Sequence, residues 1–265
     1  MSLLQIVVLA VIQGLTEFLP VSSSAHLILG SKALGWPDQG LVFDVATHLG
    51  TLFAVLVYFR HELIGMVGAC LRPPRNSGDR EHRAMALYLA LASIPALLAG
   101  ALAHDLVEAS LRDVRVIAWS TIVFGILLWV SDAVGRSHLD VGRMNLRRAM
   151  VIGFAQALAL IPGTSRSGIT ITAGRFLGFS PDAAARFSFL LAIPIVAAAG
   201  SYGALKVAMH EAPIDWTQFL LALLFAAIAG WVCIAAFLAL LKKVGLVPFV
   251  VYRLLLGLVL LWFTR

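Results

Sequence analysis

Two short stretches of the sequence concentrate side chains that can carry out hydrolytic chemistry. The first stretch contains, in order, Gln13, Glu17, Ser22, Ser23 and His26. Its hydroxyls offer a nucleophile, its imidazole a base or proton shuttle, and its carboxylate a ligand for a hard metal ion. Together these groups are the minimum needed to hydrolyse an acyl or phosphoryl ester.

The second stretch supplies what the first lacks, a site for an anion. Freed N–H groups at a helix start, the positive end of the helix dipole and a guanidinium fork all favour phosphate oxygens, and glycines let the backbone approach closely. The sequence has no Gly-x-x-x-x-Gly-Lys pattern here, so nucleotide binding of the P-loop kind is not indicated. The polar side chains of this stretch are Thr164, Ser165, Arg166, Ser167 and Thr170, set beside Gly163 and Gly168.

The composition places both stretches in a membrane protein. Of the 265 residues, 60% are hydrophobic and 13% are charged, against about 25% charged in soluble domains. Too few polar side chains remain to cover a soluble domain, which excludes a cytosolic enzyme, a disordered chain and a secreted module. The formal net charge of +6 therefore belongs to membrane loops, and no nucleic-acid partner is predicted. Cys70 and Cys233 lack the spacing of a disulfide framework, so we expect two free thiols.

Six apolar runs are long enough to cross a bilayer, which takes about 17–25 residues. Two further stretches, about 3–29 and 149–178, are apolar at their edges but interrupted by proline, serine and ionisable residues. Non-helical backbone at membrane depth is tolerated only inside protein or beside a watery cavity. We therefore expect two re-entrant helix–loop–helix hairpins that meet near the midplane. The six runs are 41–59, 84–103, 116–134, 183–203, 218–240 and 247–263.

The charges of the connecting loops predict the orientation, because cytoplasmic loops carry the excess of lysine and arginine. In the opposite connections, acidic residues offset the basic ones. With these signs, the first hairpin enters the membrane from outside and the second enters from the cytoplasm. The basic connections are 60–83, 135–148 and the short loop that holds Lys242 and Lys243.

Opposite entry of the two hairpins predicts an inverted-topology repeat. Each half, about 1–134 and 149–265, would contain one hairpin and three crossings, and the cytoplasmic loop 135–148 would join them. Weak sequence echoes between Gly125 and Gly257 agree with this division. The fold class is thus an all-α integral membrane protein with a single transmembrane domain over 1–265.

The same residues also admit structural interpretations. A serine or threonine in a membrane helix often only bonds a backbone carbonyl or a neighbouring helix. Glu17 and Arg166 could neutralise each other as an ion pair, and His26 alone could be an ordinary core histidine.

Four further ionisable residues lie within or at the ends of the predicted crossings. We expect Asp44 and Arg186 to snorkel or to cap a helix. Arg253 would brace a hairpin or touch an anionic lipid head. His48 has no assigned role.

At these residues the sequence resembles a known family. The string from Gln13 to His26 (QGLTEFLPVSSSAH) and the string from Pro162 to Thr170 (PGTSRSGIT) resemble undecaprenyl-diphosphate phosphatases of the bacitracin-resistance type. The resemblance implies a bacterial inner-membrane enzyme that removes the terminal phosphate of undecaprenyl diphosphate and so recycles the carrier lipid for cell-wall synthesis. Bacitracin acts by sequestering that substrate, so such an enzyme lowers sensitivity to it. The resemblance also implies a periplasmic active site, a divalent metal and interlocked inverted repeats that are often dimeric.

The resemblance extends to individual positions. Glu17 matches the second acid of the family's first motif, and Ser23 and His26 match its key serine and histidine. Ser165, Arg166 and Thr170 match the phosphate-binding set. Many members have a glutamate where this chain has Gln13, which can offer an oxygen or orient water but cannot serve as a base, so a two-carboxylate mechanism is not expected.

These residues lead to one mechanistic hypothesis and two alternatives. In the hypothesis, Ser23 attacks the terminal phosphorus, His26 shuttles the proton, and Mg²⁺ or Ca²⁺ is held through Glu17. In the first alternative, His26 itself is the nucleophile. In the second, broken helices in inverted repeats form a transporter or flippase of the lipid phosphate. The expected phosphate contacts are Ser22, Thr164, Ser165, Arg166, Ser167 and Thr170.

Overall fold

The computed structural model describes residues 1–23, 25–27, 35–36, 40–110, 113–135, 139–209 and 214–264, and of residues 103–110 it describes the backbone alone. Over these ranges the chain is helical and has no strand, only an isolated bridge between Leu139 and Phe179. The helices are α1 (Leu3–Phe18), α2 (Gly40–Tyr58), α3 (Arg60–Leu71), α4 (Ser77–Ser110), α5 (Val114–Val134), α6 (Leu146–Ala157), α7 (Arg166–Phe176), α8 (Pro181–Met209), α9 (Trp216–Val244) and α10 (Val247–Trp262).

Within the described ranges, five helices are long and apolar enough to cross a membrane. They are α2, the Ser77–Leu102 part of α4, α5, α8 and α9, and they correspond to the first five predicted crossings. The sixth predicted crossing is α10, a shorter apolar helix of 16 residues. The predicted loop 60–83 differs from the structure, because it contains α3 and the first turns of α4. A helix can form there because no proline interrupts the chain between residue 60 and Pro73.

Both predicted hairpins contain an interrupted helix. In the first hairpin (residues 3–27), α1 ends at Phe18, Pro20 prevents its continuation, and helical backbone resumes at Ser23. In the second hairpin (residues 146–176), α6 passes into a short 3₁₀ turn (Leu158–Leu160), and α7 begins at Arg166. The predicted break in each helix is therefore confirmed.

The first helix of each hairpin packs against a long helix from the other half of the chain. Helix α1 lies against α9, where a Cβ on Gly14 would come 2.7 Å from the Ala226 carbonyl oxygen. Helix α6 lies against α4, where Gly153 leaves no room for a Cβ beside the Ala92 backbone. Such close approach of helix backbones is typical of small-residue packing in membranes.

Helices α5 and α10 cross through a matching pair of glycines. A Cβ on Gly125 would lie 3.2 Å from Cβ of Arg253, and a Cβ on Gly257 would lie 3.1 Å from the Ala118 carbonyl oxygen. The close crossing places Arg253 of α10 directly against α5. These are the glycines of the weak sequence echo.

A buried ion pair fixes the end of the second hairpin. Nε of Arg175, near the end of α7, donates to Oδ1 of Asp132 in α5 at 2.9 Å. The same guanidinium donates to the carbonyls of Phe179, Asp132 and Gly135. This pair, which was not predicted from the sequence, ties α7 to α5.

Candidate active site

The two interrupted helices enclose a cavity of about 210 Å³. Both hairpins line it, so the predicted convergence of the two polar stretches is seen directly. The lining residues are Thr16, Glu17, Ser22, Ser23, Ala159, Ile161, Pro162, Gly163, Ser165 and Arg166.

An ion pair crosses the cavity wall between the two hairpins. Nη2 of Arg166 lies 3.3 Å from Oε1 of Glu17, and the two side chains are 11% and 9% exposed. Nη1 of Arg166 donates to the carbonyl oxygen of Ser188 at 3.2 Å. Nε of Arg166 is buried and has no hydrogen-bond partner among the described residues. The guanidinium is therefore held at two points and keeps a donor available.

Gln13 supports the second oxygen of Glu17. Its Nε2 donates to Oε2 of Glu17 at 3.0 Å and lies 3.4 Å from Nε2 of His48. Nδ1 of His48 lies 2.7 Å from the carbonyl oxygen of Asp44, which can only accept, so Nδ1 carries the proton and Nε2 is an acceptor. Both N–H groups of the Gln13 amide are therefore used. His48, unassigned from the sequence, fixes the orientation of Gln13.

The orientation of Gln13 leaves an unused oxygen beside Glu17. Oε1 of Gln13 is buried and finds no hydrogen-bond partner among the described residues. The described ranges hold no group of three His, Cys, Asp or Glu side chains around one metal position. One carboxylate and an amide oxygen nevertheless match Mg²⁺, which is usually bound by one or two carboxylates together with substrate phosphate. These are the donor types of a divalent cation site, and both oxygens of Glu17 already accept hydrogen bonds, from Arg166 and from Gln13.

Two serines in the left-handed backbone region line the cavity, one from each hairpin. Ser22 has φ of 74° and Ser165 has φ of 68°, and no other described non-glycine residue has a positive φ. This conformation is costly for a residue with a Cβ, and such strain concentrates at functional sites. The turn at Ser22 places Ser23 in the cavity wall, and the turn at Ser165 starts α7.

The start of α7 faces the cavity, which Ser165 and Arg166 line. Oγ of Ser165 caps the helix by accepting from N–H of Gly168 at 3.2 Å. The first N–H groups of a helix lack intrahelical acceptors and carry the positive end of its dipole. Arg166 is the first residue of this helix, so a charged donor and the helix terminus meet at one wall. The predicted helix start is thus confirmed.

Three hydroxyls predicted to contact phosphate lie behind the cavity wall. Oγ of Ser167 donates to the carbonyl oxygen of Leu19 at 2.8 Å and so joins the two hairpins. Oγ1 of Thr170 donates to the Arg166 carbonyl oxygen and lies 2.7 Å from Oγ of Ser188. The side chain of Thr164 is fully buried. In this structure, Ser167 and Thr170 thus hold the position of Arg166 and of the turns around it.

His26 lies beside the cavity and is absent from its lining. Its Nδ1 is 2.7 Å from the carbonyl oxygen of Ser22, and its Nε2 is 2.6 Å from the hydroxyl of Tyr252. The structure therefore brings Ser23 to the cavity directly and His26 to the turn that carries Ser23. Ser24, the third serine of the motif, lies outside the described residues.

Arg253 braces both hairpins from the centre of the protein. It is fully buried, and its guanidinium donates to four carbonyl oxygens, those of Thr121, Pro20, Thr164 and Gly163, at 2.9 to 3.2 Å. Its predicted role as a hairpin brace is confirmed. The alternative contact with an anionic lipid head is wrong, because no part of the side chain is accessible.

Several polar residues of the site were not predicted from the sequence. Ser120 and Thr121 of α5 donate to the carbonyl oxygens of Pro162 and Gly163, and Ser188 of α8 holds Arg166 and Thr170. All three lie inside predicted crossings, where a hydroxyl usually bonds only its own helix. The one feature of these residues that the sequence shows is a polar side chain within an apolar run.

Comparison with known proteins shows the family to which this chain belongs. The family model described as "Bacitracin resistance protein BacA" matches residues 6–259. The protein named "Undecaprenyl-diphosphatase 1" from Pseudoalteromonas translucida (strain TAC 125) is 49% identical over 257 residues, which cover 97% of each chain. Proteins named "Undecaprenyl-diphosphatase" from Alcanivorax borkumensis and Colwellia psychrerythraea are 51% and 52% identical, each over 99% of both chains. The interrupted helices and the cavity between them are therefore those of a member of the bacitracin resistance protein BacA family, to which this chain belongs.

Proposed function

We propose that this protein is a membrane phosphatase that hydrolyses undecaprenyl diphosphate to undecaprenyl phosphate and inorganic phosphate. One observation carries the proposal. Ser23, the largely buried guanidinium of Arg166 and the N-terminus of α7 line one cavity between two interrupted helices. Relatives of about 50% identity over nearly the whole chain bear the name undecaprenyl-diphosphatase. The long apolar helices make it a multi-pass membrane protein, as a lipid substrate requires.

The chemistry assigned to the cavity is in-line attack on the terminal phosphorus. Oγ of Ser23 forms the new P–O bond while the bond from phosphorus to the lipid phosphate oxygen breaks, and the Ser23 proton passes to the leaving undecaprenyl phosphate. Water then attacks the phosphorus and breaks its bond to Oγ, which gives inorganic phosphate and restores the Ser23 hydroxyl. The guanidinium of Arg166 and the first N–H groups of α7 stabilise the charge on the equatorial oxygens. Ser22 and Ser165 line the same wall and contact the phosphate. Both ring nitrogens of His26 are engaged, Nδ1 by the Ser22 carbonyl and Nε2 by the Tyr252 hydroxyl, so we assign His26 the support of the turn at Ser22, and its role as a proton shuttle stays a prediction.

A divalent cation, Mg²⁺ or Ca²⁺, would be held by Glu17 and by the unpaired amide oxygen of Gln13. When bound with the substrate, it would neutralise phosphate oxygens and stabilise the leaving group. Gln13 is neutral, and among the described residues Glu17 is the one carboxylate that lines the cavity.

The proposed arrangement in the membrane has six crossings and two re-entrant hairpins. The reciprocal packing of α1 on α9 and of α6 on α4 supports an inverted repeat with halves of about 1–134 and 149–265, because a two-fold relation exchanges these contacts. Helix α10, at about 1.5 Å per residue, measures roughly 24 Å and would serve as a short sixth crossing.

The proposed location is the bacterial inner membrane, with the arginine-rich connections in the cytoplasm and the cavity open to the periplasm. The cavity is smaller than pockets that enclose a drug-sized ligand, about 300–1,000 Å³. It would therefore take the diphosphate head, while the prenyl chain stays among lipids. By consuming the lipid that bacitracin sequesters, the enzyme would make the cell resistant to bacitracin. We also propose that the protein forms a homodimer.

Phosphate release by the purified protein tests the function. In detergent, the wild type should release inorganic phosphate from undecaprenyl diphosphate, and a chelator should suppress this release until Mg²⁺ or Ca²⁺ is restored. A preparation that releases no phosphate but moves the lipid phosphate across vesicles would contradict the proposal in favour of the transporter. Release that a chelator leaves unchanged would contradict the metal site alone.

A further inference from the structure

Tyr252 of α10 makes two separate contacts with His26 of the first hairpin. Its hydroxyl lies 2.6 Å from Nε2 of the imidazole. The two ring planes are also nearly parallel, with centroids 5.5 Å apart and an angle of 5° between the planes. One residue therefore fixes both the plane of the imidazole and one of its nitrogens.

The hydrogen bonds of His26 determine its tautomer. The carbonyl oxygen of Ser22, 2.7 Å from Nδ1, can only accept, so Nδ1 must carry a proton. In the neutral ring Nε2 is then an acceptor, and the Tyr252 hydroxyl is its donor. With both bonds in place, the neutral imidazole with its proton on Nδ1 is favoured over the other tautomer.

This tautomer matters because it supports the strained turn beneath the nucleophile. Ser22 has φ of 74°, and its carbonyl is held by the Nδ1–H of His26. The next residue, Ser23, lines the cavity. Loss of the Nδ1 proton or rotation of the ring would release the Ser22 carbonyl and let the turn, and Ser23 with it, relax.

We propose that Tyr252 is a positioning residue that acts through His26, holding the imidazole in its Nδ1–H tautomer so that Ser22 and Ser23 keep their reactive geometry. The inference rests on the proposed phosphatase function. Partners that orient a functional histidine typically contribute about 10–100-fold, as shown for residues behind metal-bound histidines. Tyr252 touches the histidine and lies outside the cavity lining, so its effect should appear in turnover and leave substrate affinity unchanged.

A double-mutant cycle tests this inference in the full-length protein with undecaprenyl diphosphate as substrate. Tyr252→Phe keeps the aromatic ring and removes only the hydroxyl. It should lower kcat by about tenfold with KM within twofold of wild type, and it should have no further effect in the His26→Ala background. The matched control is Tyr202→Phe, at an exposed tyrosine of α8, which should behave as wild type.

The outcomes separate this inference from the proposed function. Wild-type kcat in Tyr252→Phe, a raised KM at unchanged kcat, or an equal loss with and without His26 would each overturn the positioning role while the phosphatase stands. A wild type without phosphatase activity would instead overturn the proposed function. In that case ¹⁵N NMR of histidine-labelled wild type, with His26 assigned by His26→Ala, still decides the structural claim. A proton on Nδ1 supports it, and a proton on Nε2 contradicts it.

Discussion

Arg166 is the residue at which the two hairpins meet. Its guanidinium reaches Glu17 of the first hairpin and the Ser188 carbonyl of α8, and its Nε stays without a partner among the described residues. Because these donors form a planar fork, the side chain can keep its structural contacts and still offer a donor to a phosphate oxygen. The observed ion pair and the proposed phosphate contact, which were alternatives in the sequence, are therefore compatible.

Replacing Arg166 by lysine should lower kcat/KM by about 100-fold although the charge is kept, because one ammonium cannot bond Glu17, the Ser188 carbonyl and a phosphate together. The measurement is steady-state phosphate release by purified variants that elute as the wild type does. Arg186→Lys is the matched control, since Arg186 pairs with Asp182 and Glu62 away from the cavity. Wild-type activity in Arg166→Lys would show that the fork is not required.

The charged residues of the site could be predicted from the sequence, because charged side chains are rare in membrane-spanning segments. Glu17, Arg166 and Arg253 attracted attention because an ionisable group there costs about 2.5–3.5 kcal/mol on insertion scales. Hydroxyl groups carry no comparable insertion cost, so this criterion does not identify them. Thr170 resembles a phosphate ligand in sequence, yet the helical spacing of four places its oxygen over the Arg166 carbonyl.

At the scale of elements, the site depends on two helices that stop in the middle of the protein. Each break exposes backbone groups that need partners. Arg253 bonds carbonyls of both turns, and Ser120 and Thr121 of α5 bond those of Pro162 and Gly163. Side chains from the intact helices thus replace the hydrogen bonds that the broken helices lose.

The turn of the second hairpin should not tolerate a side chain at Gly163. The residue has φ of 92°, and a Cβ there would collide with the Ile117 carbonyl and the Ser120 hydroxyl. Gly163→Ala should therefore destabilise the fold by about 1–3 kcal/mol and lower turnover.

Thermal unfolding in detergent measures the effect on stability, with Gly142→Ala as the control. Gly142 lies in the 3₁₀ turn Val141–Arg143 with open space around its Cβ position. If both variants unfolded at the temperature of the wild type, the close approach at Gly163 would not be required.

The breaks were predictable from sequence and the contacts that support them were not. Pro20 and the run of glycine and serine around Arg166 stop a helix by local rules, so both interruptions were expected. Helix α3 was missed because its 12 residues are too few to cross a bilayer and it lies within a connection rich in arginine. The support of both turns by Arg253 depends on tertiary packing, about which local sequence carries no information.

At the scale of the whole molecule, the basic residues of the connections and the packing of the helices support the same division of the chain into two halves. The arginines of the connection 60–83 and the lysines that end α9 lie at the ends of long apolar helices. The reciprocal packing of each hairpin on the other half encloses the cavity between them. Neither half could form the site alone, since Glu17 and Arg166 come from different halves.

The predicted orientation can be tested at Cys70, which is exposed on α3, whereas Cys233 is buried. A membrane-impermeant thiol reagent should modify the wild type in inverted vesicles and spare it in right-side-out spheroplasts, because the arginine-rich connection is expected in the cytoplasm. Cys70→Ser should remove the labelling in both preparations. Modification in spheroplasts would reverse the orientation and with it the periplasmic site.

Acid quench of the working enzyme on undecaprenyl diphosphate labelled in its terminal phosphate tests the central claim most directly, namely that Ser23 in the cavity accepts the phosphoryl group. We predict an acid-stable phosphoserine that maps to Ser23 and disappears in Ser23→Ala. An acid-labile, base-stable adduct that disappears in His26→Ala would contradict this and make histidine the nucleophile. Full turnover in Ser23→Ala would contradict the cavity assignment itself.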